Sequence, residues 1–190
     1  MYTSPGNLCK TLTKLLDKNN QFINQVVAYY EGGRRSLTVL EGLRATLPID
    51  AYPSFEVEPT NADNQWATTR AQRPTFNFTC TLTVKVSNPK FGVEYISSLA
   101  TIIAEIMTSP NNLQMRVLNE THWDVNGGLV DTYILDSLVN SVAYNATKDG
   151  TIRTAEFTWF ASIHEPYPES LWLIGAGDMP TVIRPLVLTP

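Results

Sequence analysis

The chain has 190 residues, of which 43% are hydrophobic and 17% are charged, and its formal net charge is −4 at neutral pH. A chain of this length buries about 70% of its unfolded surface, so it needs neither a disulfide nor a metal ion to stabilise a core. The acidic balance argues against a general nucleic-acid binder, and the N-terminus lacks the apolar run and the cleavage site of a signal peptide.

The N-terminal region has the pattern of a helix in two segments. Ser4 and Pro5 form a start signal, with Ser4 as the N-cap and Pro5 at the first helical position. Apolar residues follow at helical spacing: Leu8, Leu12, Leu15, Leu16, Ile23, Val26, Val27 and Tyr30. A polar step at residues 17–21 predicts a bend or a break, and Gly32–Gly33 predicts the end of the helix.

Strand patterns come next. Pro48 and Pro53 bracket a turn, and residues 54–58 alternate as a strand. Residues 60–72 are polar with one tryptophan, which predicts an extended hairpin or a loop. Residues 73–87 then alternate over about twice the usual strand length. Because side chains along a strand switch faces at every residue, this predicts a long, half-buried strand whose other face is lined by Thr, Asn and Lys.

A second amphipathic helix follows Asn88–Pro89. Its apolar positions are Val93, Ile96, Leu99, Ala100, Ile103, Ile106 and Met107, and Ser109–Pro110 ends it. Residues 113–118 have the pattern of a short strand, before a turn at Asn126–Gly128. This part of the chain therefore predicts one core helix and a return to strands.

The last predicted strands form a hairpin. Residues 138–146 and 152–163 both alternate, and residues 148–150 between them are good turn formers. From residue 165 onward the chain contains five prolines and no period, which predicts an extended tail. The apolar content of that tail predicts packing against the same domain or against a neighbour.

The order of these elements predicts an α+β fold. We expect a mostly antiparallel, twisted sheet with two main helices packed on one face. Residues 1–164 form a single domain, and residues 165–190 form the extended, Pro-rich tail. Cys9 and Cys80 both occupy apolar positions, which indicates buried, structural thiols. No stretch has the roughly 18 apolar residues of a membrane span, so no membrane partner is expected.

The search for catalytic chemistry finds little. His122 has Asp124 two residues away and His164 is followed by Glu165, but neither pair has the third and fourth ligands of a metal site. No serine stands in a nucleophile elbow, and no glycine-rich loop has the spacing of a nucleotide site. We therefore predict no catalytic, cofactor or metal site and no enzyme. A small hydrolase using His122 or His164 remains the alternative from a different class.

Two regions have the composition of a protein interface. Trp66 lies between polar residues, with Arg70 and Arg73 close by, and Trp and Arg are favoured interface anchors. A solvated loop explains the same residues equally well. The tail adds Tyr167, Trp172 and Ile174 as apolar candidates for contact with another subunit. A Pro-rich tail that recruits a partner for a binding module is a further alternative.

The order of parts resembles that of the tail terminator (tail completion) proteins of long-tailed bacteriophages. The resemblance covers about residues 8–164 and rests on soft patterns of hydrophobicity and turns. An N-terminal helix precedes a Pro-bounded strand, YPSFEVEP, and a polar hairpin leads into the strand RPTFNFTCTLTVKVS. The helix VEYISSLATIIAEIMTSP and the strand pair VNSVAYNATKDGTIRTAEFTWFASI follow. The tail is longer than this family leads us to expect.

The resemblance implies a structural virion protein that forms a ring, typically a hexamer, on the end of the tail tube. Its expected partners are further copies of itself, the tail tube and the neck or connector proteins, with the tail sheath as a further candidate. Its location would be the tail or neck of a virion assembled in the host cytoplasm. In such a ring the polar strand face, with Thr79, Thr81 and Thr83, would meet solvent, a lumen or a neighbouring subunit. Another neck protein, such as a head–tail joining protein, is the near alternative.

Overall fold

The computed structural model describes residues 5–32, 36–41, 52–68, 71–109, 116–123 and 129–166. In this part of the chain three helices and six strands follow one another as α1 (Pro5–Lys18), α2 (Asn20–Glu31), β1 (Thr38–Glu41), β2 (Ser54–Thr68), β3 (Ala71–Lys85), α3 (Pro89–Thr108), β4 (Arg116–Trp123), β5 (Leu129–Ala146) and β6 (Ile152–Pro166). The predicted turns at Pro48 and at 126–128 and the tail residues 167–190 lie outside the described residues.

The strands form one mostly antiparallel sheet in the order β1-β2-β3-β6-β5-β4. The pairing of β1 with β2 is parallel, and the other four pairings are antiparallel. The α+β class and the antiparallel sheet are thus confirmed. The strand β1 was not predicted, because its four residues are too few to show an alternating pattern. Its parallel pairing with β2 depends on the connection between the two strands and not on a local pattern.

The N-terminal helical stretch is two helices, so the structure has three helices where two main ones were expected. The break falls at Asn19, inside the predicted polar step. The Asn19 side chain donates to the Leu15 carbonyl at 2.8 Å, and its own carbonyl accepts from the Phe22 N–H at 3.2 Å. Asn19 therefore closes α1 and opens α2. Gly32 ends α2 with φ of 65°, a left-handed conformation that glycine adopts without a Cβ clash.

The core lies between the helices and one face of the sheet. The alternating residues Phe76, Phe78, Cys80, Leu82 and Val84 of β3 and Ala155, Phe157, Trp159, Ala161 and Ile163 of β6 are all buried. The Phe78 and Trp159 rings lie 4.7 Å apart between their centroids. The alternation of the two long strands predicted which face of each is buried, and this prediction is confirmed. Burial of each large aromatic side chain here stabilises the fold by about 1.5–3 kcal/mol.

Helix α3 is the central element of the helical layer. Asn88 caps its start by accepting from the Lys90 N–H at 3.1 Å, and Pro89 occupies the first turn. Among the described residues α3 is the helix whose length and composition alone would suit a membrane crossing. Its apolar stripe, from Tyr95 to Met107, is buried against the sheet and the other helices, which accounts for that composition by packing inside the domain.

The β5–β6 hairpin is anchored to the start of α3. In the turn, Asp149 Oδ1 accepts from the Thr147 hydroxyl at 2.6 Å and from the Thr151 N–H at 3.1 Å. Gly150 has φ of 69°, and a Cβ there would lie 3.1 Å from Pro89 Cβ. Arg153 donates to the Pro89 carbonyl at 3.3 Å. The predicted turn at 148–150 is confirmed, and these contacts fix its position against the helix.

Strand β5 begins nine residues before its predicted start, at Leu129 rather than residue 138. Its register with β6 shifts between Ile134 and Asp136 and again between Val139 and Ser141. Each shift inserts an extra residue and reverses the alternation, so no single period runs through the strand. β4 likewise runs to Trp123, beyond the predicted residues 113–118.

Candidate interaction surfaces

The two histidines lie on different strands. His122 on β4 is in register with Val130, and His164 on β6 is in register with Tyr133, so β5 separates the two strands. Within the described residues no group of three or more His, Cys, Asp and Glu side chains is placed to hold a metal ion.

The sheet face opposite the helices is polar, and we term it the polar face. On it Thr79 is in register with Glu58 on one side and Thr158 on the other. The Thr60 and Thr79 hydroxyls lie 3.3 Å apart, and Ser141 donates to the Thr158 hydroxyl at 3.3 Å. The first hydroxyl pair links β2 to β3 and the second links β5 to β6.

The polar face has an acidic balance. By register, its described side chains include the carboxylates Glu56, Glu58, Asp63, Asp136 and Glu156 and the cations Arg73 and Lys85. Glu56 is only 5% exposed, so among the described side chains four accessible carboxylates stand against two cations, an excess negative charge of two. A surface of this kind repels the phosphate backbone of a nucleic acid.

One edge of the sheet is open over most of β5. β4 is in register with β5 only from Leu129 to Tyr133, so residues 134–146 of β5 have no strand on their outer side in the part of the chain that the structure describes. Backbone N–H and C=O groups of such an edge are free to pair with another chain. Residues 137–146 contain no charged side chain that would deter such pairing.

An apolar groove runs beside this edge, between α3 and β5, and we term it the α3–β5 groove. One part, of about 370 Å³, is lined by Ala100, Thr101, Ala104, Glu105, Thr108, Leu138, Val139, Val142 and Tyr144. The adjoining part, of about 350 Å³, is lined by Val93, Ile96, Ser97, Tyr144, Asn145, Ala146 and Arg153. Val93 is 57% exposed, Leu138 49% and Tyr144 51%. Val93 and Tyr144 are exposed apolar side chains along one groove, which marks a surface suited to a partner. Leu138 borders the groove but is in register with Phe160 of the polar face.

A cluster of aromatic residues marks a second surface, at the end of α2 and the start of α3. The Tyr30 ring stacks on Tyr95 at 4.6 Å, and Tyr29 meets Tyr30 edge-on at 4.8 Å. With Phe91 these rings line a cleft of about 330 Å³. Desolvation raises the pKa of Tyr30, and Glu94 adds to the rise.

The predicted interface residues lie in different places. Trp66 on β2 is in register with Gln72, and Arg73 on β3 is exposed and in register with Gln65. The expected hairpin thus carries both near its tip. Thr79 and Thr81 are half-buried on the polar face, and Thr83 is buried at 8% exposure. Arg70, Tyr167, Trp172 and Ile174 lie outside the described residues.

Sequence reasoning missed both the α3–β5 groove and the aromatic cleft. One signal was present: Val93 on α3 and Tyr144 on β5 are large apolar residues that end up exposed. In the sequence neither stands out, because Val93 belongs to the apolar stripe of α3 and Tyr144 to an alternating strand pattern. Only the tertiary packing shows that this face extends past the core.

The fold has a counterpart among virion structures. No family model and no curated protein matches the chain. Among 31 matching chains of solved structures is one from the virion of a native gene transfer agent particle, with a TM-score of 0.55. The two chains are 9% identical, and the match covers 86% of this chain and 99% of that one. At this identity the similarity shows a shared fold.

Proposed function

We propose that the chain is a structural protein of a phage-like virion, and that it forms a ring that caps the tail tube and joins it to the neck, as a tail terminator does. The observation that carries this proposal is the fold match to 99% of a chain in a gene transfer agent virion. A match over nearly a whole virion chain supports a virion role for the domain, rather than a shared fragment. The role proposed is non-enzymatic.

The two sheet edges support a ring. The open part of β5 lies at one edge, and at the other edge β1 covers only Ser54–Val57 of the longer strand β2. Over the described residues, each copy therefore has incomplete edges on opposite sides of its sheet. A contact between unlike edges is heterologous, and repeated rotation by a constant angle closes such contacts into a ring.

The polar face supports a position around a passage for DNA. It carries hydroxyl and carboxylate groups, with an excess negative charge over its described side chains. Lining a lumen with such a surface would let a nucleic acid pass without adhering, because like charges repel. The helical layer would then face outward, which leaves the aromatic cleft of Tyr29, Tyr30 and Phe91 accessible to neck or tail proteins.

The first test is the mass of the purified full-length protein in solution, by light scattering and native mass spectrometry. We expect a closed oligomer, with six copies as the leading number, that appears as a ring by electron microscopy. Ala143→Lys places a charge at the exposed open edge and is expected to weaken assembly, while Gln25→Lys on the exposed side of α2 serves as the matched control. A protein that stays monomeric at all concentrations would contradict the ring.

The second test separates a terminator from another neck protein. Purified rings are mixed with tail tubes from the same particle and, separately, with filled heads. A terminator binds the tube end and stops further tube growth, whereas a head–tail joining protein binds the head first. Binding to heads alone would assign the chain to the neck and overturn the terminator role.

A further inference from the structure

The α3–β5 groove is the described surface that most clearly lacks an occupant. It combines exposed apolar side chains with the outer edge of β5 along residues 134–146, which pairs with no strand among the residues that the structure describes. An extended segment laid in this position would gain backbone hydrogen bonds from the edge and side-chain contacts from the groove. Its side chains would alternate between the groove and solvent, so two apolar residues two positions apart are needed.

The chain itself contains such a segment after its last described strand. Beyond Pro166, residues 171–174 read Leu-Trp-Leu-Ile, without proline or charge. In extended backbone Trp172 and Ile174 share one face. Trp is among the side chains that most often anchor interfaces, and Ala100 and Ala104 of the groove leave space for a large ring.

The geometry separates Trp172 of the same copy from the middle of the groove at Val142, although Ile174 of that copy could reach the end of the groove at Val139. Val142 is in register with Phe157, which lies nine residues before Pro166 on β6. At about 3.3 Å per residue, this places Val142 about 30 Å from the end of β6. Trp172 lies only six residues beyond Pro166, a reach of about 20 Å at full extension. β4 also occupies the outer side of β5 beside Tyr133, on the direct path.

We propose that residues 171–174 of one copy add as a strand to the open edge of β5 in the neighbouring copy, with Trp172 and Ile174 seated in its α3–β5 groove. This rests on the proposed ring, which brings a second copy to that edge. Each copy would both donate a segment and receive one. The segment would then lie between the β5 edge of one copy and the β2 edge of the next, so that the contact between unlike edges in the proposed ring runs through it.

The test is cross-linking between two differently labelled full-length variants. Chains with Ala104→Cys and chains with Ile174→Cys are mixed, allowed to assemble, and treated with a short bis-maleimide before quenching and denaturing electrophoresis. Cys9 and Cys80 are buried and do not compete in the folded protein. We expect a cross-linked pair of unlike chains. Gln25→Cys, exposed on α2, replaces Ala104→Cys in the matched control and is expected to give at least tenfold less product.

A second measurement follows assembly itself. Trp172→Ala is expected to weaken ring association by about 30-fold, the size of a strong interface anchor, whereas Trp172→Phe keeps most of it. The outcomes separate the two proposals. Rings that form without the specific cross-link, and that tolerate Trp172→Ala, overturn this inference and leave the proposed function standing. An absence of any oligomer overturns both.

Discussion

Ser137 joins three elements of the core, and its removal gives the sharpest test of the packing described above. Its hydroxyl accepts from the Trp159 indole N–H at 2.8 Å and donates to the Met107 carbonyl in the last turn of α3. Trp159 is 1% exposed, so its indole N–H is shielded from solvent in the wild-type protein. Ser137→Ala leaves the indole N–H unpaired and removes a partner from a carbonyl at a helix end.

The expected loss follows from the burial of these groups. A buried donor left without a partner costs about 1–3 kcal/mol, so we expect Ser137→Ala to lower the free energy of unfolding by about 2 kcal/mol. For a chain of this length that corresponds to a fall in Tm of about 4–8 °C. Urea unfolding followed by far-UV circular dichroism measures it. Protein concentration is held constant, because association in a ring would add stability.

Two variants make the measurement specific. Ser141→Ala removes a hydroxyl on the same strand, but at an exposed position, and is expected to change stability by less than about 0.5 kcal/mol. Trp159→Phe removes the indole N–H, so Ser137→Ala is expected to cost less in that background than in the wild type. Equal costs in the two backgrounds, or a Ser137→Ala variant as stable as Ser141→Ala, would refute the reasoning.

Two other predictions concern titratable groups. Burial raises the pKa of the Cys80 thiol, and Cys9 is buried as well. Both thiols should therefore react with a thiol reagent at pH 8 only as fast as the protein unfolds. Prompt labelling of the folded protein would contradict this. Hydrogen bonds from Thr147 and Thr151 lower the pKa of Asp149 in the folded protein. The ionised carboxylate therefore stabilises the fold above the pKa that Asp has in the unfolded chain, and this stabilisation is lost as the pH falls through the pKa of the folded state. Asp149→Asn should therefore lower Tm more at pH 7 than at pH 2.5, as measured by calorimetry, and an equal difference at both values would count against it.

The elements that could be predicted from the sequence are those with one buried face. β3 and β6 alternate because their Phe, Trp and Leu side chains pack under α3, and α3 has helical spacing for the same reason. The break in the N-terminal helix was visible as a polar step, although only the structure shows that Asn19 forms it.

The elements that escaped prediction depend on pairings far apart in the chain. β1 consists of four residues, and its parallel register with β2 is set by a crossover rather than by local pattern. The two register shifts in β5 conceal its first half, because each reverses the alternation. The α3–β5 groove is likewise a property of two elements at once, and no single segment of sequence shows it.

The long β3 strand can contribute to assembly although its polar face carries no catalytic group among the described residues. Its Thr face is in register with β2 and β6 on either side, so its length extends the sheet rather than exposing a site. A sheet of this length with an uncharged open edge would be prone to uncontrolled pairing if it stayed alone.

Heterologous pairing of edges yields either an open filament or a closed ring, and the angle between neighbours decides which. A segment that reaches from one copy into the groove of the next would fix that angle, because it contacts both α3 and β5 of the receiving copy. We therefore expect loss of the Trp172 contact to produce assemblies of irregular size, and not only weaker ones.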